Sequence, residues 1–121
     1  MRAKLTIEGR MPSLNEYIRA MNKHHMVGNI MKQTETDRAA WSAKAAKMPK
    51  FMRQVKIHFF WFEENRKRDL DNVAAAKKFI IDGLVRAQVI ANDTQNYVKG
   101  FSDTFEYDPR NPRIEVVVEE V

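Results

Sequence analysis

Seven consecutive residues, Arg66-Lys67-Arg68-Asp69-Leu70-Asp71-Asn72, hold the densest chemistry in the chain. Three cations run directly into two carboxylates one residue apart. In an extended segment side chains alternate with period two, so Asp69 and Asp71 point to the same side. Like charges held that close call for a cation or a shared proton between them. The sequence has no Cys, and its three His lie elsewhere, which leaves oxygen donors. Oxygen-only ligation suits Mg²⁺, or Mn²⁺, ions that keep several waters and share their sites with substrate phosphate. A third carboxylate, Asp93, follows in Ile90-Ala91-Asn92-Asp93-Thr94-Gln95. A helix of about fifteen residues after the pair carries the chain about 22 Å away. About seven extended residues return a similar distance, so Asp93 can rejoin the pair by a direct route. Three carboxylates among Lys and Arg are minimal equipment for phosphodiester hydrolysis, in which bound Mg²⁺ activates water and cations hold phosphate. A plainer reading fits the same residues. Asp69 or Asp71 caps the following helix, the cations balance it, and Asp93 is a turn residue.

The distribution of charge favours a polyanion partner. Residues 1–68 hold fifteen Lys/Arg and six Asp/Glu, a net +9, whereas residues 69–121 hold six and ten, a net −4. A basic front beside a carboxylate-rich back suits nucleic acid, although a solvated surface gives the same arithmetic. With 121 residues and 44% apolar composition, the chain has the size of one domain, 1–121, and can bury a core. No wholly apolar run exceeds four residues, the length of Phe59–Phe62, so no membrane span is expected. The absence of Cys and of a signal-like start suits a cytoplasmic protein.

The elements that must position these residues are legible from periodicity. Leu5 and Ile7 alternate with polar residues as a first strand, and a turn follows at Gly9–Pro12. Ser13 with Glu16 three residues on forms a capping-box signature for a helix over Leu14–Asn22. Lys23–Gln33, with Gly28 and Asn29, reads as a loop. Thr36–Lys47 reads as an Ala-rich helix anchored by Trp41 and ending before Pro49. Val55–Phe62 is a strand with Val55, Ile57, Phe59 and Trp61 on one face. Glu63–Arg68 is a charged loop, and a helix then runs from Leu70 or Asp71 to about Val85. Tyr97–Tyr107 and Arg113–Glu120 are strands joined through Asp108-Pro109-Arg110-Asn111-Pro112, which predicts a hairpin. The order β-α-α-β-α-β-β implies a single-domain α+β fold with a small mixed, largely antiparallel sheet packed with helices.

Arg68-Asp69-Leu70-Asp71-Asn72, the helix end Asp82-Gly83-Leu84 and Asn92-Asp93 resemble the RusA family of Holliday junction resolvases, crossover junction endodeoxyribonucleases encoded mostly by bacteria, phages and prophages. Pro12-Ser13-Leu14-Asn15-Glu16-Tyr17 resembles the Pro-Ser-x-Asn segment of that family after its first strand. The resemblance spans most of the chain and is thinnest between Lys23 and Lys50. It implies a homodimeric, Mg²⁺-dependent endonuclease that cuts four-way DNA junctions with paired nicks during recombination and repair. It further implies that Asp69, Asp71 and Asp93 are catalytic and metal-binding. Two opposed cuts call for two sites, which a two-fold dimer supplies. Arg66, Lys67, Arg68 and Lys77, with Asn15, are the candidate DNA contacts. One position departs from the pattern. The family lysine three residues after the Asn is replaced by Ala75. Counting back four residues from Asp82 lands on Lys78, to which the resemblance carries the role. Two other functions remain open at this stage: a branched-DNA-binding module without catalysis, and a Mg²⁺-dependent nuclease for flaps or forks.

Other polar and aromatic residues have ordinary explanations. His24 and His25 are adjacent and make a poor metal pair, while His58 suits a structural role on its strand. Trp41, Phe59 and Trp61 fit core packing better than base stacking, and Phe51 and Met52 are weaker stacking candidates. Asp103, Glu106 and Asp108 read as solvated.

Overall fold

The computed structural model describes residues 1–121. Its elements are β1 (Arg2–Glu8), α1 (Leu14–Lys23), α2 (His25–Ala45), β2 (Val55–Glu63), α3 (Leu70–Ala74), α4 (Lys77–Arg86), β3 (Val98–Tyr107) and β4 (Arg113–Glu120). With α3 and α4 taken as one broken helix, the order is the expected β-α-α-β-α-β-β of an α+β domain.

The sheet is mixed, in the order β1-β4-β2-β3. β4 runs antiparallel to both neighbours, with Val116 opposite Leu5 on one side and Phe59 on the other. β3 lies at the far edge, parallel to β2, with Asp103 opposite Phe59. The expected β3–β4 hairpin therefore does not form; β2 lies between the two strands. Burial gives the reason. Val116, Val117 and Val118 are all buried and no residue of β4 is exposed, which suits an inner position, whereas β3 is mostly exposed and takes an edge.

Helices cover one face of the sheet. Leu5, Ile7, Ile57, Phe59, Trp61, Ile114, Val116 and Val118 face Ala39 and Ala43 of α2 and Ile80 and Leu84 of α4 in one 22-residue core cluster. Full burial of a side chain such as Phe59 or Ile80 contributes about 1.5–3 kcal/mol relative to exposure. Ser13 caps α1 as its spacing implies: its hydroxyl accepts from Glu16 N–H (3.2 Å) and the Glu16 carboxylate accepts from Ser13 N–H (3.3 Å).

Three local expectations are corrected. The segment expected to loop, Lys23–Gln33, is mostly helix, because α2 begins at His25 with His24 as its N-cap, Nδ1 accepting from Met26 N–H (3.1 Å). Trp41 is 73% exposed and anchors nothing. The inward face of α2 carries Ala39, Ala40 and Ala43, since α4 approaches too closely for a large side chain. A Cβ on Gly83 would lie 2.6 Å from Ala39 Cβ and 2.9 Å from the Ala40 nitrogen. Finally, the helix after Asp69 is interrupted at Ala75–Ala76. Ala76 N–H bonds to Val73 O (3.2 Å) and Lys78 N–H to Ala75 O (3.3 Å), a tightened three-residue turn. Val73, Ala76 and Phe79 are all buried, and only a turn of period three stacks them on one line. No helix is long and apolar enough to cross a membrane.

Candidate active site

The junction between β2 and α3 is built by ion pairs that hold its cations away from its carboxylates. Arg68 lies across Glu63 in a bidentate pair (Nε–Oε1 2.8 Å, Nη2–Oε2 2.9 Å), and its Nη1 donates to Met11 O (2.9 Å) and Glu16 Oε1 (3.4 Å). Arg10 closes the same cluster against Glu63 and Glu64. Arg68 is thus a clamp between β2 and the entry to α1. Arg66 turns the other way, its guanidinium 4.2 Å from the ring centroid of Tyr107 on β3. Lys67 N–H is fixed by the Asn65 side chain (2.9 Å).

Asp69 follows with N-cap backbone dihedrals (φ −65°, ψ 145°), yet its carboxylate makes no capping bond. Asp71 is in the first turn of α3 and exposed. Neither carboxylate enters any ion pair of the protein. This leaves two anionic groups with unused lone pairs, but because α3 begins at Leu70 the extended alternation expected to align the Asp69 and Asp71 side chains does not hold. Asp69 lies in a groove of about 320 Å³ with Asn15, Arg19, Lys67, Arg68 and Asn72. The folding of Pro12–Tyr17 onto this junction therefore brings Asn15, Lys67, Arg68 and Asp69 together.

Asp93 arrives by a different route from the direct return its spacing allows. α4 ends in a left-handed turn at Gln88 (φ 61°), with Ala87 N–H on Gly83 O and Val89 N–H on Leu84 O, both 2.9 Å. Val89 and Ile90 then dive into the core, and Phe51 N–H holds Val89 O (2.8 Å). The chain surfaces beside the middle of α4. There Lys78 Nζ bridges Asp82 (3.1 Å) and Asp93 (3.5 Å). The hydrogen bond that Lys78 donates to Asp82, with the charges of Asp82 and Asp93, outweighs partial burial and raises the Lys78 pKa above its ordinary value. Asp93 and Asp82 line a groove of about 720 Å³ with Arg86, Asn92 and, from α2, Asn29, Lys32, Gln33 and Thr36.

Asp69 and Asp93 thus lie in separate hollows, and no three His, Asp or Glu side chains converge to enclose an ion. A third hollow of about 310 Å³ lies between them. It shares Ser13 with the Asp69 groove and Lys32 with the Asp93 groove, and Lys78 and Ala75 are in its wall. The three form one track along α1, α2 and the α3–α4 break. Lys78, rather than Lys77, faces this track. Lys77 reaches under the sheet edge to Asp103 (2.5 Å), 5.5 Å from the Phe59 ring and 5.3 Å from that of Phe101. Asp103, expected to be solvated, is held there by Lys77 and by Trp61 Nε1–H (2.9 Å). Phe59 and Trp61 are core residues, and His58 is satisfied by Ser102 (2.6 Å) and Glu119 (2.7 Å), as expected.

Lys32 and its helix face escaped the sequence reading because Gly28 and Asn29 broke the expected pattern. A signal was present: Asn29, Lys32, Gln33 and Thr36 recur at i, i+3, i+4 and i+7, a polar stripe of helical period.

The donor set suits a hard divalent cation. Asp69 and Asp71 offer oxygen ligands without internal partners, and Mg²⁺ needs only one or two carboxylates when water and substrate phosphate complete its shell. The α+β fold, the basic groove and the bare carboxylate pair define the equipment of an enzyme acting on phosphodiesters. The sequence profile of endodeoxyribonuclease RusA matches residues 6–119 of the 121, and the chain belongs to the RusA family. No curated protein matches it. Membership makes the protein an endodeoxyribonuclease of a family that acts on branched DNA and resolves Holliday junctions.

Proposed function

We propose that this protein is a Mg²⁺-dependent, structure-selective endonuclease that resolves four-way DNA junctions by symmetric paired nicks, acting as a homodimer in the cytoplasm. The observation that carries this reading is the carboxylate pair Asp69–Asp71, which no cation of the protein neutralises, beside a groove lined by Lys67, Arg19 and Asn15. Asp69 and Asp71 would hold the metal, with Asp93 at the other end of the same track. When bound, Mg²⁺ supplies a Lewis acid for the phosphoryl oxygen and a water of lowered pKa. Lys67 and Arg19 neutralise the backbone of the strand being cut. Lys78 keeps its proton at neutral pH and offsets the charge of Asp82 and Asp93, so that a phosphate can approach that end.

Dimerisation has a candidate surface on the hairpin of α1 and α2. Ile18, Met21, Met26, Val27 and Ile30 are 36–63% exposed and adjoin across a close helix contact, where Gly28 lies against Met21. A second copy seated there would bring two tracks to one junction.

The test is cleavage of a synthetic four-way junction with a mobile core, with and without Mg²⁺, against duplex, fork and flap controls. Symmetric nicks on the junction, dependent on Mg²⁺ and absent in Asp71→Asn, support the reading. Preferential cutting of flaps or forks replaces the substrate, and tight binding with no cutting under any divalent metal overturns the enzyme.

A further inference from the structure

The middle hollow of the track differs in character from its neighbours. Both flanking grooves are polar; this one is walled by Pro12, Leu14, Tyr17, Ala76 and Phe79, with Ala75 leaving it open. Tyr17 and Phe79 meet edge to face, ring centroids 5.7 Å apart. Ala75 and Ala76 contribute only methyl groups where the helix tightens between α3 and α4, which is why the space is there. Its volume, about 310 Å³, is at the lower end of small-ligand pockets and far below what a duplex requires. Two cations stand at its rim. Lys78 faces Asp93, and Lys32 enters no ion pair with any carboxylate of the protein. Ser13 is buried and lines the cavity, and its hydroxyl accepts from Glu16 N–H, which leaves its own proton free to donate.

We propose that this cavity receives one unstacked nucleobase from the DNA strand that lies along the track, a base next to the bond being cut. The inference rests on the nuclease reading above and adds a base-binding site to it. A flat ring with a polar edge matches a cavity that joins aromatic walls to a hydroxyl: Tyr17 and Phe79 supply the apolar contact, and Ser13 supplies a polar group for the base edge. The rim matches the rest of the nucleotide, because Lys32 and Lys78 flank the opening where phosphates on either side of the base would pass. The charge argues against an apolar side chain as the occupant, since neither lysine would gain a partner. Bases at the crossover of a four-way junction are the least costly in the molecule to unstack. The site would therefore couple recognition of the branch point to placement of the scissile phosphate.

The test is an abasic scan. Junctions carry a single abasic nucleotide at each position flanking the cleavage site in turn, and both metal-free binding and Mg²⁺-dependent cutting are measured. Wild type should lose about 10-fold in affinity at one position and little at the others, the scale of one base stacked on aromatic side chains. Ala75→Leu, which fills the cavity, should lose a similar factor on the intact junction and nothing more at that abasic position. Tyr17→Leu, which keeps the bulk and removes the ring and hydroxyl, serves if Ala75→Leu folds poorly. 2-Aminopurine at the same position should change its emission on binding to wild type and not to Ala75→Leu. Equal affinity at every abasic position overturns the pocket, as do penalties from protein and DNA changes that multiply. Efficient junction cutting without abasic sensitivity leaves the nuclease standing and removes only the base site; failure to cut the intact junction strikes the nuclease itself.

Discussion

The two ends of the track present carboxylates in opposite electrostatic states. At the α3 end, Asp69 and Asp71 have three cations preceding them in sequence, and the fold turns Arg68 to Glu63 and Arg66 to Tyr107. At the α4 end, Asp82 and Asp93 are drawn onto Lys78. One pair is left bare and the other shares a single lysine, which offsets half of its charge. Sequence proximity alone would assign the neutralising cations the other way round. A bare pair gains most from an external cation, while a paired one must first release its lysine, so under the proposed function the α3 end is where a metal ion would bind first.

The largest effect should come from the bare end. Asp71→Asn is expected to lower junction cleavage by at least about 100-fold, the scale of losing one preorganised electrostatic contact, while junction binding in a gel-shift assay is retained. Loss of folding by circular dichroism would instead make Asp71 a structural cap and erase the contrast. Next is the clamp that keeps the two ends different. Arg68→Met removes a bidentate, mostly buried contact to Glu63 and should reduce unfolding free energy in urea by about 2 kcal/mol. An unchanged urea midpoint would mean that Arg68 is not what holds the junction open.

Gly83→Ala tests whether the α4 end depends on close helix packing. Its methyl would meet Ala39 and the Ala40 backbone, neither of which can swing aside, so a loss of about 1–2 kcal/mol is expected by thermal melting. A stabilised variant would show that α2 and α4 have slack at this crossing. Lys78→Ala should cost stability less than about 1 kcal/mol, because the side chain is 60% exposed. It should still weaken cleavage, by leaving Asp82 and Asp93 unneutralised. A variant with full cleavage activity would mean that the held end has no part in the reaction.

The smallest effect is a pH dependence at the α3 end. Burial alone would raise the Glu16 pKa, but its hydrogen bonds with Ser13 and the charge of Arg68 outweigh this and lower it below the ordinary glutamate value. A depressed carboxylate contributes stability above its unfolded pKa and loses it as pH falls through the folded one. The stability gap between wild type and Glu16→Gln should therefore be constant near neutrality and close in acid, as followed by urea titration at several pH values. A gap that widens in acid would reverse the sign of the Arg68 contribution.

Much of this arrangement is legible in local sequence. The Ser13–Glu16 capping box and the alternation in β2 depend on residues close in the chain. What was not legible depends on partners far away. The helical state of His25–Gln33 rests on a histidine cap and on Gly28 lying against Met21 of α1. Trp41 lies outside because Gly83, forty-two residues on, brings α4 to the alanine face of α2. The inner place of β4 goes with a strand that has no exposed residue and the edge place of β3 with one that is mostly exposed, and a turn sequence carries no such information. Of the candidate site, the resemblance named the residues, but whether Lys77 or Lys78 faces the track was decided by the tightened turn at Ala75–Ala76.

Lys77 and Asp103 have a further consequence at the other side of the molecule. β3 is ten residues long and forms an open edge, with Phe101 and Tyr107 about half exposed. Such an edge offers unpaired backbone groups to any passing strand, which is how sheets recruit one another into aggregates. Asp103 points inward from that edge and is tied to Lys77 and Trp61. A strand that pulled β3 away or shifted its register by one residue would tear this carboxylate from both partners and strand the lysine against Phe59. The ion pair beneath the edge therefore acts as a lock on its register and disfavours the pairing of β3 with a foreign strand.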